Sequence, residues 1–79
     1  MSLAEAQPLS WVAEMSSAHI HAVQTDNPTR IRLLGMGIGK GTHIHVLRNR
    51  RGDIVLGNGN NRISLGRSIT DKIMVHVQE

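Results

Sequence analysis

The stretch LLGMGIGKGT, Leu33 to Thr42, decides how the rest of the chain is read. It packs four glycines, a lysine and a closing threonine into ten residues. The composition suggests a phosphate-binding loop, whose pattern is G-x-x-x-x-G-K-[ST] on a strand-to-helix turn. The spacing from Gly35 to Gly39-Lys40 is one residue short, and Gly41 separates the lysine from Thr42. The flanks decide the matter. Upstream, Asp26-Asn27-Pro28 reads as a helix start, a capping side chain followed by proline at the first helical position. Ile31 and Leu34 then fall three apart on one face, and Gly37 is placed to end the helix in the left-handed conformation. Downstream, THIHVLR (Thr42–Arg48) alternates polar and apolar residues, the period of a half-buried strand. A phosphate loop needs the helix after it, so that the N-terminal amides point at the anion. Here the order is reversed. The glycines stop a helix and turn the chain into a strand.

Outward from that turn, period two recurs. AHIHAV (Ala18–Val23) and KIMVHV (Lys72–Val77) alternate in the same way. DIVLG (Asp53–Gly57) and NRISL (Asn61–Leu65) are two further short strands, joined at Asn58-Gly59-Asn60, where residues tolerant of positive φ favour a hairpin. Asn49-Arg50-Arg51-Gly52 turns the second strand into the third, and Ser68–Asp71 suits one helical turn before the last strand. Five short strands in 79 residues imply a small all-β barrel, with the helix inserted between strands 1 and 2. Residues 1–8 are expected to be a flexible leading segment and 9–79 a single domain. Ile20, Ile31, Leu34, Ile44, Val46, Ile63, Val75 and Val77 form the expected core.

Composition narrows the function classes. There is no cysteine, which excludes disulfides and thiolate metal sites. Trp11 is the sole aromatic of the Phe, Tyr and Trp type, too few for a proline-rich-peptide groove or for base stacking along a single strand. No apolar run approaches the roughly 20 residues of a membrane span, and no charged segment precedes an apolar run as in a secretion signal. A cytoplasmic protein is expected. The formal net charge is +3, yet all nine basic residues lie between Arg30 and Lys72, opposed there only by Asp53 and Asp71. A basic middle suits an acidic protein, an anionic membrane surface or nucleic acid.

No Ser-His-Asp order or carboxylate pair supports catalysis, so the chain reads as a non-enzyme. Arg51-Gly52-Asp53 spells an adhesion tripeptide but sits where a hairpin turn is expected. The histidines form a pattern of their own. His19 and His21 share one strand face, His43 and His45 another, and His76 lies on the last strand. If the alternating Ile and Val residues are core, all five point outward and gather on one outer face. Imidazole suits borderline divalent metals such as zinc, nickel or copper. Histidine also simply fills outward strand positions, and that reading carries the greater weight.

RIRLLGMGIGKGTHIHVLRNRRGDIVL, then NRISLGR and KIMVHV, resembles the ferrous iron transport protein A (FeoA) family. The ordered pattern falls on Arg30, Leu33, Leu34, Gly37, Ile38, Gly41, Thr42, Ile44, Val46, Gly52 and Asp53, then on Leu65, Arg67, Ile73, Val75 and Val77. It departs at Lys40, where proline is common, at Arg50-Arg51 and Ile54 around the Gly-Asp turn, and at Gly66, which splits the usual Leu-Arg pair. The resemblance implies an SH3-like barrel, and a non-enzymatic cytoplasmic accessory of the GTPase-linked ferrous iron permease (FeoB). Contact with the membrane would then be indirect, through the permease. A homo-oligomer and a bound divalent transition metal (iron, zinc or nickel) are compatible with it. The alternative is a small basic barrel that binds nucleic acid through phosphate contacts. Helix geometry adds a partner surface. With Ile31 and Leu34 turned inward, Leu33 and Met36 form a second apolar stripe left open for the permease.

Overall fold

The computed structural model describes residues 5–78. The strands are β1 (Gln7–Pro8), β2 (Ser17–Val23), β3 (His43–Arg50), β4 (Asp53–Asn58), β5 (Asn61–Leu65) and β6 (Ile73–Val77), with α1 (Asn27–Gly35) between β2 and β3 and α2 (Arg67–Thr70) before β6. A single 3₁₀ turn, Leu9–Trp11, follows β1. Four of the five expected strands move by one or two residues at an end, and β5 is as expected. Gln7 and Pro8 lie inside the expected leading segment, yet they pair with β6. Residues 1–4 of that segment lie outside the described residues.

All the strands join one antiparallel sheet in the order β1-β6-β2-β3-β4-β5. The register shifts between Ile20 and Ala22 against β6, and between Val46 and Arg48 against β4. Such bulges bend a strand and strengthen its twist. They curl the sheet into an SH3-like barrel that stays open, because among the described residues β5 and β1 do not pair with each other. Inside are Leu9, Val12, Ala18, Ile20, Leu33, Ile38, Ile44, Val46, Ile54, Leu56, Leu65, Ile73 and Val75, all buried. Ile63 and Val77 are half-buried and pack against this cluster.

The turns obey local chemistry. Arg50 pairs with Asp53, so Arg51-Gly52 is a two-residue hairpin loop. Both its residues have positive φ, 54° and 94°, as a type I′ turn requires. Beneath it lies Thr70, the buried polar residue of the core, whose hydroxyl donates to the Gly52 carbonyl at 2.5 Å. Asn58 pairs with Asn61 around Gly59-Asn60, and there only Gly59 has positive φ, at 63°.

The glycine stretch ends α1 as expected, with a consequence for its packing. Gly37 has φ 83°. The Gly37 amide donates to the Leu34 carbonyl at 2.9 Å and the Ile38 amide to the Leu33 carbonyl at 2.8 Å. This bond pair is the Schellman motif, which sets the residue after the glycine against the residue five positions before it. Ile38 and Leu33 are accordingly both in the core. That fixes the rotation of α1 and corrects the expected one: Leu33 is 1% exposed, while Ile31 is 61% and Leu34 52% exposed. Gly41, with φ 86°, then turns the chain into β3, and its amide donates to the Ile20 carbonyl at 2.7 Å.

Candidate functional site

Rotation at 100° per residue places Ile31 and Leu34 together on the outward side of α1, with Met36 on the opposite flank of Leu33. Leu34 lies over Gly39, whose missing side chain makes the room: a Cβ there would stand 2.5 Å from a Leu34 methyl. Leu34 also lines a hollow of about 380 Å³ with His21, Ala22, Val23, Arg30, Gly39 and Lys40. Ile31 and Leu34 are therefore an apolar face bordered by two cations, Arg30 and Lys40, both exposed. Met36 is 42% exposed and shares a different hollow with Leu33, Arg32 and Ile69. The expected open pair of Leu33 and Met36 is thus divided. Leu33 is floor and Met36 is rim. Sequence spacing misses Ile31 and Leu34 as surface, since a three-residue spacing alone does not say which way a stripe faces. The usable signal was Ile38 directly after Gly37, which pairs with Leu33 in a glycine-capped helix end.

Topology brings the histidines to neighbouring strands. His19 stands opposite His43 on β3 and opposite His76 on β6. The His19 and His76 rings are 5.4 Å apart between centroids, and His21 meets His76 edge to face at 4.8 Å. The other two turn away to private partners. His43 Nε2 lies 2.9 Å from Gln78 Oε1, and His45 Nδ1 lies 3.0 Å from the Ser17 hydroxyl. Three of the five expected residues therefore touch. Among the described residues, no group of three or more His, Cys, Asp or Glu is arranged to hold a metal ion. His19, His21 and His76 do not form a ready three-ligand site.

Four further arginines line two more hollows. Arg48 and Arg50 of β3 line a hollow with Asp53, Val55, Ser64 and Leu65 on the outer face of β3–β4–β5. Arg51 and Arg67 line another with the exposed Trp11, although Arg67 Nε is paired with Asp71 Oδ2 at 3.5 Å. No helix among the described residues is long and apolar enough to cross a membrane.

Comparison with known proteins agrees with this architecture. The chain is 29% identical over 72 residues to a Methanocaldococcus jannaschii protein with the provisional name Fe(2+) transport protein A, covering 91% of this chain and 88% of that protein. The crystal structure of an iron uptake regulatory protein, FeoA, superposes with a TM-score of 0.82 at 24% identity, over 94% of this chain and 99% of that one. A manganese-dependent transcriptional repressor shares the fold with a TM-score of 0.82 at 20% identity, over 92% of this chain but only 41% of the repressor. The FeoA domain matches residues 7–77, and with nearly its whole length inside that match the chain belongs to the FeoA domain family.

Proposed function

We propose that this protein is a non-enzymatic, cytoplasmic accessory of ferrous iron uptake that acts by docking on the GTPase-linked ferrous iron permease, FeoB. Family membership implies the role in ferrous iron transport. The observation that supports docking is the exposure of Ile31 and Leu34 on α1, beside Arg30 and Lys40. An apolar face rimmed by charge is the usual composition of a protein contact rather than of a solvated helix. The Leu33–Ile38 anchor sets the rotation of the helix that carries this face, and a helix already placed for a partner lowers the entropy cost of binding. Co-purification of the permease with tagged protein, compared between the natural chain and a variant polar at Ile31 and Leu34, is the test.

The contact of His76 with both His19 and His21 favours a second reading: that ring rotation lets imidazoles from β2 and β6 chelate a divalent ion such as zinc, nickel or iron. The nucleic-acid alternative has less support, because the basic residues lie on separate surfaces and Trp11 alone is available for base stacking.

A further inference from the structure

Among the described residues, β5 is an edge of the sheet with no neighbouring strand on its outer side. Among the described residues β5 pairs only with β4, and the closing pair of its two-residue hairpin is Asn58 and Asn61. That pair exchanges hydrogen bonds, and the alternation along an antiparallel ladder then turns the backbone groups of Ile63 and Leu65 toward β4. The N–H and C=O groups of Arg62 and Ser64 point the other way. Among the described residues, no backbone bond outside the sheet involves either of them. Two hollows flank this edge and share Ser64 and Leu65. The inner one, about 390 Å³, is lined by Leu33, Met36 and Ile69 as well as Thr29 and Arg32. The outer one, about 340 Å³, contains Arg48, Arg50 and Asp53, whose carboxylate already accepts from the Arg67 amide at 2.9 Å. Arg62 is exposed on that same outer face.

We propose that β5 is a docking edge for an extended segment of a partner protein in which apolar and acidic residues alternate. Successive side chains of an added strand point to opposite faces. One set would enter the apolar inner hollow over Leu33 and Met36. The other would lie on the outer face within reach of Arg62 and toward Arg48 and Arg50, where three arginines outnumber Asp53 and a carboxylate set complements the net positive charge. Backbone pairing to Arg62 and Ser64 supplies the rest of the recognition, as in other strand additions. A second copy of this chain is a poor occupant. Pairing β5 with β5 would bring two copies of the same arginine face together, and like charges across strands are unfavourable. This edge lies on the opposite flank of Leu33 from Ile31 and Leu34, so the proposal stands whether or not that face meets the permease.

The test uses a labelled eight-residue peptide alternating valine and glutamate, titrated into the natural chain and followed by fluorescence anisotropy and by amide NMR shifts. Saturable binding is expected, with shifts concentrated at Arg62, Ser64, Met36 and Ile69. Ser64→Pro removes an outward N–H that the native ladder does not use. It should weaken binding at least tenfold without lowering the melting temperature by more than a few degrees. Arg62→Glu should weaken the valine–glutamate peptide about fivefold and improve binding of a valine–lysine peptide. Equal affinity for Ser64→Pro overturns strand addition, and so does a shift map centred elsewhere, which decides the matter if Ser64→Pro unfolds. Absence of binding overturns the proposal as well. A valine–lysine peptide that binds the natural chain equally well overturns the charge pattern. A duplex oligonucleotide that displaces the peptide from the same amides with higher affinity makes the edge a phosphate surface instead. Concentration-dependent shifts at β5 without peptide would assign the edge to a second copy.

Discussion

The Ile38 amide donates to the Leu33 carbonyl at 2.8 Å, and both side chains are fully buried. Through this pair, the glycine that ends α1 also sets the helix's rotation on the barrel. Leu33→Ala removes the buried partner and should cost about 2–5 kcal/mol in chemical denaturation, as large-to-small core substitutions do. Ile44→Ala, in β3, belongs in the same range. Ile31→Ala and Leu34→Ala should each stay within about 0.5 kcal/mol, the scale of ordinary surface changes. The opposite ranking would restore the rotation read from spacing alone.

That rotation marks the boundary of what the sequence reveals. Strand positions were legible because alternation in AHIHAV, THIHVLR and KIMVHV carries its own phase: Ile20, Ile44, Val46 and Val75 are all buried. A short helix carries no such phase when apolar residues occupy both sides, as Ile31, Leu33, Leu34 and Met36 do. Only its non-local anchor, Ile38, settles the matter. β1 was invisible for a different reason. Two residues containing a proline hold no period, and only pairing with Met74 and Val75 makes them a strand. The histidine grouping was half legible. Strand adjacency put His19 beside His43 and His76, but the side chains of Gln78 and Ser17, which draw His43 and His45 aside, leave no mark in local pattern.

Thr70 and Gly52 make a second structural test. The Thr70 hydroxyl is the donor to a carbonyl in a turn with two positive φ angles. Thr70→Val keeps the shape and leaves that carbonyl without its partner, a loss of about 1–3 kcal/mol. Thr70→Ser keeps the donor and should recover part of it. Gly52→Ala should also destabilise by about 1 kcal/mol or more, since its φ is 94° and a Cβ would stand 2.7 Å from Arg67 Cγ. A Thr70→Val variant as stable as the natural protein by thermal melting would mean the bond contributes nothing.

For metal binding, the ring contacts discriminate among the five histidines. His76 touches both His19 and His21, whereas His43 and His45 have other partners. Calorimetry with zinc or nickel should therefore show an affinity that disappears in His19→Ala/His21→Ala/His76→Ala and survives in His43→Ala/His45→Ala. Three imidazoles leave a tetrahedral ion one ligand short, so solvent or a partner would complete the shell. Equal binding by the triple variant would remove the cluster from consideration.

The docking face on α1 gives the sharpest functional prediction. Ile31 and Leu34 are more than half exposed, at 61% and 52%, and the helix that carries them is held by Leu33, not by them. Polar substitution there removes apolar contact area from a partner without opening the core. Ile31→Ser/Leu34→Ser should therefore fold and melt almost as the natural chain does. Yet it should recover at least tenfold less permease on co-purification from membranes, a difference of about 1.4 kcal/mol in binding. Leu33→Ser is the necessary contrast, because it puts a hydroxyl in the core and should unfold the domain outright. Charge gives an independent arm. Arg30→Glu/Lys40→Glu leaves the apolar face intact and reverses its rim, and rim charges act mainly on association rate and salt dependence. The reversed variant should capture the permease more slowly at low salt and differ little at high salt. If the serine variant recovers the permease in full while remaining folded, the contact lies on another face of the barrel. If only the charge variant fails, the surface is electrostatic and Ile31 and Leu34 are bystanders.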